Sequence, residues 1–109
     1  MQPIQIYPEY TLILTYDIKE GVYEHYFRWI MNDFLPTMHK HKVYRQFVWH
    51  VISGTETLPE RQLEFITEDI EILRSLLTSS EWSRLEDRLK NFTENYSARV
   101  VRYNGSVKV

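Results

Sequence analysis

Cysteine is absent from the 109 residues, and the three glycines, Gly21, Gly54 and Gly105, lie far apart. The lack of cysteine excludes disulfide scaffolds, thiolate metal sites and cysteine nucleophiles, and it favours an intracellular protein. Scattered glycines cannot form a phosphate-binding loop or a dinucleotide fingerprint. The first residues lack the pattern of a secretory signal, and no apolar run approaches the roughly 20 residues that span a bilayer. We therefore expect a cytoplasmic protein with no membrane partner.

A strong charge of either sign is also missing, because the formal net charge is −2 and the pI is about 6.1. This balance argues against nucleic acid as a partner. The length suits one domain, which we place at 10–109 after an irregular arm at 1–9. Aromatic residues are abundant at 15%. Since such side chains are enriched in cores, at interfaces and around flat ligands, the composition favours an interface or a pocket without choosing between them.

The first half of the chain predicts a strand, a helix and a hairpin. Alternation at 10–16 places large apolar residues on one face and smaller β-branched residues on the other, as in a strand. Helical spacing of apolar residues predicts a helix at 22–35, which Pro36 ends or kinks. Two further alternating runs, 43–52 and 61–67, are joined by a loop that contains glycine and proline. They predict an antiparallel hairpin.

The second half predicts two helices and a closing strand. A helix is predicted at 69–77. Its first turn contains acidic residues, which the helix dipole stabilises there. The segment from Thr78 to Glu81 matches a capping box. In this motif, a hydroxyl and a carboxylate three residues apart each accept a hydrogen bond from the other residue's backbone N–H at the start of a helix. That helix is predicted at 82–96, and a last strand at 98–103. The predicted order of elements is therefore βαββααβ.

This order predicts an α+β, ferredoxin-like βαββαβ fold with a four-stranded antiparallel sheet and its helices on one face. Apolar residues stand on both faces of the predicted strands, among them Ile13, Val48 and Ile66. The face without helices therefore needs a cover. The symmetric solution is a homodimer that forms through the sheet face.

Two local segments carry a family resemblance. Residues 16–21 lead into an aromatic-rich first helix, and Ser80-Glu81-Trp82 begins the last one. Together with the hairpin and the closing strand, over about residues 10–103, they resemble the dimeric α/β-barrel group of ferredoxin-like proteins. The resemblance is to its small, uncharacterised members related to antibiotic-biosynthesis monooxygenases. It implies two sheets that face each other across a dimer axis, and a pocket between each sheet and its own helices.

Candidate site residues follow from this implied pocket. His50, in the middle of a strand among apolar residues, is the catalytic candidate, because imidazole titrates near neutral pH. A hydrogen-bonded core histidine is the alternative. Six aromatic residues could line the pocket, or they could simply pack in the core or at the dimer interface: Tyr23, Tyr26, Trp29, Tyr44, Trp49 and Trp82. The ligand-binding candidates are Tyr26, Trp29, Arg45, Trp49 and Trp82.

Arg45 alternates onto the same strand face as Trp49, where a cation must pair with a carboxylate or bind an anion. Glu64 or Glu68 on the next strand could supply that carboxylate. His39 and His41 could be metal ligands, but no further ligand pattern completes a site. We expect a solvated polar loop there, and no metal or cofactor.

Two classes of function remain open. The resemblance implies a cofactor-independent, monooxygenase-like enzyme acting on a small aromatic or polyketide-like molecule, with a buried histidine or tyrosine as acid–base. Oxygenases of this group commonly place an asparagine on the first strand, where this chain has Thr11 and Thr15. The alternative is a non-catalytic module that binds a small apolar or aromatic ligand, or acts only through its dimer.

Overall fold

The computed structural model describes residues 8–46 and 61–103. Their order confirms the predicted ferredoxin-like α+β fold, with a π-helical turn at Ile30–Phe34 as an unpredicted addition. No helix in these two ranges is long and apolar enough to cross a membrane. The elements are β1 (Tyr10–Ile18), α1 (Tyr23–Trp29), α2 (Leu35–Lys40), β2 (Tyr44–Gln46), β3 (Arg61–Thr67), α3 (Ile70–Leu77), α4 (Ser80–Phe92) and β4 (Thr93–Arg102).

The four strands form one antiparallel sheet in the order β2-β3-β1-β4. In the central strand β1, Leu12 and Leu14 face the helices and belong to the core, whereas Ile13 lies on the opposite, outer face. The alternation read from the sequence is therefore confirmed. On the outer face, Ile13 stands between Glu64 of β3 and Arg99 of β4.

The core lies between the sheet and the helices and is rich in aromatic contacts. Phe34 packs on Phe65 of β3, with ring centroids 5.9 Å apart, and on Trp82 of α4 at 6.4 Å. Burial of each such side chain contributes roughly 1.5–3 kcal/mol to folding. Phe34 therefore connects the first helical segment to both the sheet and the last helix.

Pro36 does not end the first helix, because the chain stays helical as far as Lys40. Proline has no N–H to donate to the carbonyl of Asn32, and its ring crowds that carbonyl. The helix widens instead: the Leu35 N–H donates to the Ile30 carbonyl, five residues back, as in a π turn. The predicted polar loop at His39 is consequently the last turn of α2.

The caps of α3 and α4 correct one sequence prediction. Asp69 caps α3, and its side chain accepts a hydrogen bond from the Glu71 N–H. The cap of α4 is Ser79 rather than Thr78, with its hydroxyl accepting from the Trp82 N–H at 3.1 Å. The Glu81 carboxylate therefore does not close a capping box.

Glu81 bonds instead to the end of α2. It lies 2.6 Å from the Nε2 atom of His41 and 3.7 Å from the Lys40 ammonium group. The hydrogen bond with His41, followed by the charge of Lys40, holds the pKa of Glu81 below its usual range. This contact ties the first helical segment to the start of α4.

The last helix ends four residues earlier than predicted, at Phe92, and β4 begins at Thr93. The carbonyl of Phe92 accepts from the Lys19 N–H, and Thr93 pairs with Ile18 of β1. Pairing with the central strand thus overrides the helical spacing that extended the prediction to Tyr96. Most of the predicted hairpin, residues 47–60, lies outside the described residues.

Replacing Ser79 with alanine tests the position of the cap. The change removes the hydroxyl that satisfies the Trp82 N–H, so we expect the free energy of unfolding to fall by about 1 kcal/mol. Ser83→Ala, on the exposed side of the same helix, is the matched control. It should change the free energy of unfolding by about 0.5 kcal/mol at most. Urea unfolding followed by circular dichroism measures both. Equal effects of the two substitutions would contradict the assignment.

Candidate functional site

A cleft of about 180 Å³ runs between the first helical segment and the β2–β3 side of the sheet. Its floor is made of buried side chains from three elements: Tyr26 of α1, Ile30 of the π turn and Leu63 of β3. All three belong to the hydrophobic core. The floor is therefore fixed by the same packing that holds α1 on the sheet.

The polar centre of the floor is a pair of tyrosine hydroxyls. The Oη atoms of Tyr16, on β1, and Tyr26 are 2.5 Å apart. Burial raises the pKa of both phenols, so both are neutral at ordinary pH. Either hydroxyl can be the donor. When Tyr16 donates, the proton of Tyr26 is left for a ligand oxygen in the cleft, and Tyr26 then acts as a neutral hydrogen-bond donor.

Two arginines place positive charge beside this pair. Arg61 of β3 donates from Nη2 to the Tyr23 hydroxyl at 2.9 Å, and its guanidinium lies 5.4 Å from the centre of that ring. Arg45, half-buried on β2, also lines the cleft. Both guanidinium charges lower the pKa of Tyr16 and Tyr26, partly offsetting the larger effect of burial. None of the described residues that line the cleft is acidic.

The open side of the cleft is an apolar stripe formed by Tyr23, Phe27 and Met31. These side chains are 47%, 51% and 50% exposed and follow each other at four-residue spacing. The rings of Tyr23 and Phe27 are stacked, with centroids 6.2 Å apart. Single exposed apolar residues are common, whereas a continuous patch marks a binding surface. The cleft thus combines an apolar wall with two arginines beside its floor. Small-molecule sites commonly combine apolar walls with a few polar or charged groups in this way.

The residues singled out from the sequence are divided among three surfaces. Tyr26 and Arg45 meet in the cleft. The indole of Trp29 donates to Asp33 at 3.2 Å and lines a separate groove, while Trp82 lines a third beside β4. The other two candidates, Trp49 and His50, lie outside the described residues.

The suggested pairing of Arg45 with Glu64 does not fit the register. Arg45 lies opposite Phe65 and faces the helices, whereas Glu64 lies opposite Ile13 on the outer face. The Glu64 carboxylate accepts hydrogen bonds from the neighbouring Gln46 and Gln62 side chains. The strand's alternation, which predicted where Arg45 points, also separates it from this glutamate.

The two candidate metal ligands are used in packing. The ring of His39 contacts that of Tyr44 edge-on, with centroids 4.8 Å apart, and His41 bonds to Glu81. Among residues 8–46 and 61–103, no group of three or more histidine or carboxylate side chains is placed to hold a metal ion.

Three residues of the cleft were not singled out from the sequence: Phe27, Met31 and Arg61. A signal for the first two was present, since Tyr23, Phe27 and Met31 form a second apolar stripe beside the core-facing residues of the same helix. Arg61 carries no signal of its own, because only the pairing of β3 with β1 brings it level with Tyr16 and so under α1.

Comparisons with known proteins establish the fold. No protein-family model and no curated protein sequence matches the chain. Solved structures do resemble it, and among them is a NIPSNAP family protein of unknown function from Agrobacterium tumefaciens, with 13% identity, a TM-score of 0.57, and coverage of 92% of this chain and 94% of that one. An uncharacterised NIPSNAP domain protein from Burkholderia xenovorans has 15% identity and a TM-score of 0.57, covering 92% of this chain and 99% of its own.

A third similar structure is described as a dimeric protein of unknown function with a ferredoxin-like fold, from Bacteroides fragilis. Its identity is 13% and its TM-score 0.53, over 91% of this chain and all of that one. Identities this low support a shared fold and nothing finer. None of these three proteins is described as an oxygenase.

The buried phenols should resist ionisation until the chain unfolds. Tyr16, Tyr26 and Tyr96 have raised pKa values, in each case mainly through burial, whereas unfolding returns them to about 10. Because these phenols lose their protons more readily in the unfolded chain, their contribution to the free energy of unfolding should be constant below about pH 10 and fall as the pH rises further. Absorbance at 295 nm and urea unfolding across alkaline pH measure the two effects.

Phenylalanine at position 16 or 26 provides the control. Neither Tyr16→Phe nor Tyr26→Phe should reduce the phenolate absorbance that develops before unfolding, because neither phenol contributes to it. A loss of one phenol's absorbance near pH 10 in either variant would contradict the buried pair.

Proposed function

We propose that this protein is a small-molecule-binding module that takes an organic anion with an apolar body into the cleft. The observation that carries the proposal is the convergence of Arg45, Arg61 and the Tyr26 hydroxyl beside an exposed apolar wall. Hydrogen bonds from cations to an anionic oxygen are stronger than neutral ones. Arg45 and Arg61 give the described part of the cleft a positive charge that complements such an oxygen.

Binding is better supported than the oxygenase-like chemistry implied by the family resemblance. A general base must be deprotonated at the working pH. The raised pKa values of Tyr16 and Tyr26 keep both side chains protonated, so neither can act as a base. Thr11 and Thr15, at the positions compared with the oxygenases, lie on the outer sheet face and away from the cleft. The described part of the cleft is therefore equipped to hold an anion, and we assign it no proton transfer.

Calorimetric titration with 3-phenylpropionate and its neutral amide tests this proposal. The acid should bind at least tenfold more tightly than the amide, since a hydrogen bond to a charged group contributes about 1.5–3 kcal/mol. Arg61→Gln should weaken binding of the acid by about tenfold and leave the amide unchanged. Arg74→Gln, on the exposed face of α3, is the matched loss of charge and should alter neither. Equal affinity for acid and amide, or binding of neither, would refute the proposal.

We further propose a homodimer that forms through the outer sheet face. This face carries the 37% exposed Val101 and the half-buried Ile66, beside Ile13, which is already buried in the single chain, while the core and the helices occupy the other face. A two-fold axis along β1 would bring Glu64 of one protomer over Arg99 of the other, because both stand level with Ile13 on opposite sides of it. The dimeric description of the Bacteroides fragilis structure is consistent with such an assembly.

Two neighbouring valines of β4 give a matched test of this dimer. Val101→Glu puts a charge on the outer face, whereas Val100→Glu puts the same charge on the helix-facing side at nearly equal exposure, 39%. Light scattering at micromolar concentration should give twice the chain mass of 13.3 kDa for the parent and for Val100→Glu, and the single mass for Val101→Glu. A monomeric parent protein would refute the dimer, and equal dissociation of both variants would show that the interface lies elsewhere.

A further inference from the structure

The apolar stripe of Tyr23, Phe27 and Met31 continues the cleft instead of closing it. All three side chains line the cleft, and each is about half exposed. The cationic end lies at Tyr23, whose hydroxyl and ring are engaged by Arg61. Met31, eight residues along, lies beyond the core-facing Ile30 and carries no charge. Arg61 therefore places positive charge at the Tyr23 end of the stripe, and the side chains of the stripe itself are uncharged.

From this polarity we propose that the ligand is a single-chain amphiphilic acid, whose acid group binds at Arg61 and whose alkyl chain lies along the stripe. The inference rests on the proposed binding of an organic anion and adds the shape of that anion. A compact aromatic acid would contact the arginines and Tyr23 but leave Phe27 and Met31 in water. A chain that reaches Met31 removes the whole stripe from water.

The length of the stripe sets the length of the chain. Eight residues of helix advance about 12 Å at the α-helical rise of about 1.5 Å per residue. A staggered alkyl chain with C–C bonds of about 1.5 Å advances about 1.3 Å per carbon. A chain of roughly eight to ten carbons therefore spans the distance from the arginine end to Met31.

The stripe ends at the π turn. Met31 is the second residue of the π-helical turn Ile30–Phe34, which the chain adopts because Pro36 cannot complete an α-helical hydrogen bond. π turns of this kind are frequently found at functional sites. Leu35, the next residue at this spacing, packs against the core, so the exposed row ends at Met31.

A series of linear carboxylates tests the chain-length requirement: butanoate, hexanoate, octanoate and decanoate, each titrated below its micelle concentration. Affinity should rise by about two- to fourfold per added carbon up to decanoate, the lower figure reflecting a half-exposed stripe. Phe27→Ala and Met31→Ala should flatten this rise and leave butanoate unchanged. Val100→Ala, an exposed apolar residue on β4 at a distance from the cleft, is the matched control and should keep the full rise.

Each alternative outcome separates the two proposals. If all four acids bind equally and more tightly than their amides, the anion site stands and the alkyl-chain inference is overturned. If no acid of any length binds, both fail. A rise that persists in Phe27→Ala and Met31→Ala but is lost in Val100→Ala would place the chain beside β4, which overturns the inference. A lipid surface is the remaining alternative. It would be indicated if the protein sediments with phosphatidylglycerol vesicles, if Phe27→Ala abolishes this sedimentation, and if the affinity for the carboxylates does not depend on their chain length.

Discussion

The hydrogen bond between the hydroxyls of Tyr16 and Tyr26 connects the central strand to the first helix, and much of the molecule is arranged around it. Two phenols in a core must satisfy each other, since an unpartnered buried hydroxyl is costly. Their pairing acts together with the core packing of Trp29 and Ile30 to hold α1 on the sheet. Once α1 is held in this way, the side chain of Tyr26 forms part of the floor of the cleft, and Phe27 and Met31, one and five positions further along, point outward.

Helix rotation thus explains why the site and the core share one short segment. Tyr26 and Trp29 point into the core, while Tyr23 and Phe27 are on the exposed neighbouring side of the same helix. The helix is apolar over more of its circumference than a single buried face requires. The excess apolar surface is where the ligand is proposed to bind. An arginine from β3 reaches it only because antiparallel pairing sets Arg61 opposite Tyr16.

Alternation and spacing in the sequence were sufficient to predict the order of the elements, the two faces of β1 and the limits of β3. The errors have local causes. Pro36 was expected to end or kink a helix; it does not end it, and the chain instead widens one turn at Ile30–Phe34, where Phe34 packs on both the sheet and the last helix. The end of α4 was placed too late because helical spacing persists to Tyr96, while strand pairing from Thr93 onward competes for the same backbone.

The candidate site was less predictable than the fold, for a physical reason. Alternation predicts which face of the sheet Arg45 is on, but it does not predict which helix packs over that residue. Trp29 and Trp82 have the composition of pocket residues, yet each packs in the core and lines a different surface. Exposure, which distinguishes Phe27 from Trp29, depends on how one helix is rotated about its axis. That rotation is set in part by a contact between residues ten positions apart, Tyr16 and Tyr26, and by the level at which β3 meets β1. The periodicity of a single segment predicts neither the rotation of the helix nor the level at which the two strands pair. A ligand site between a helix and a strand can therefore be recognised only in the assembled structure.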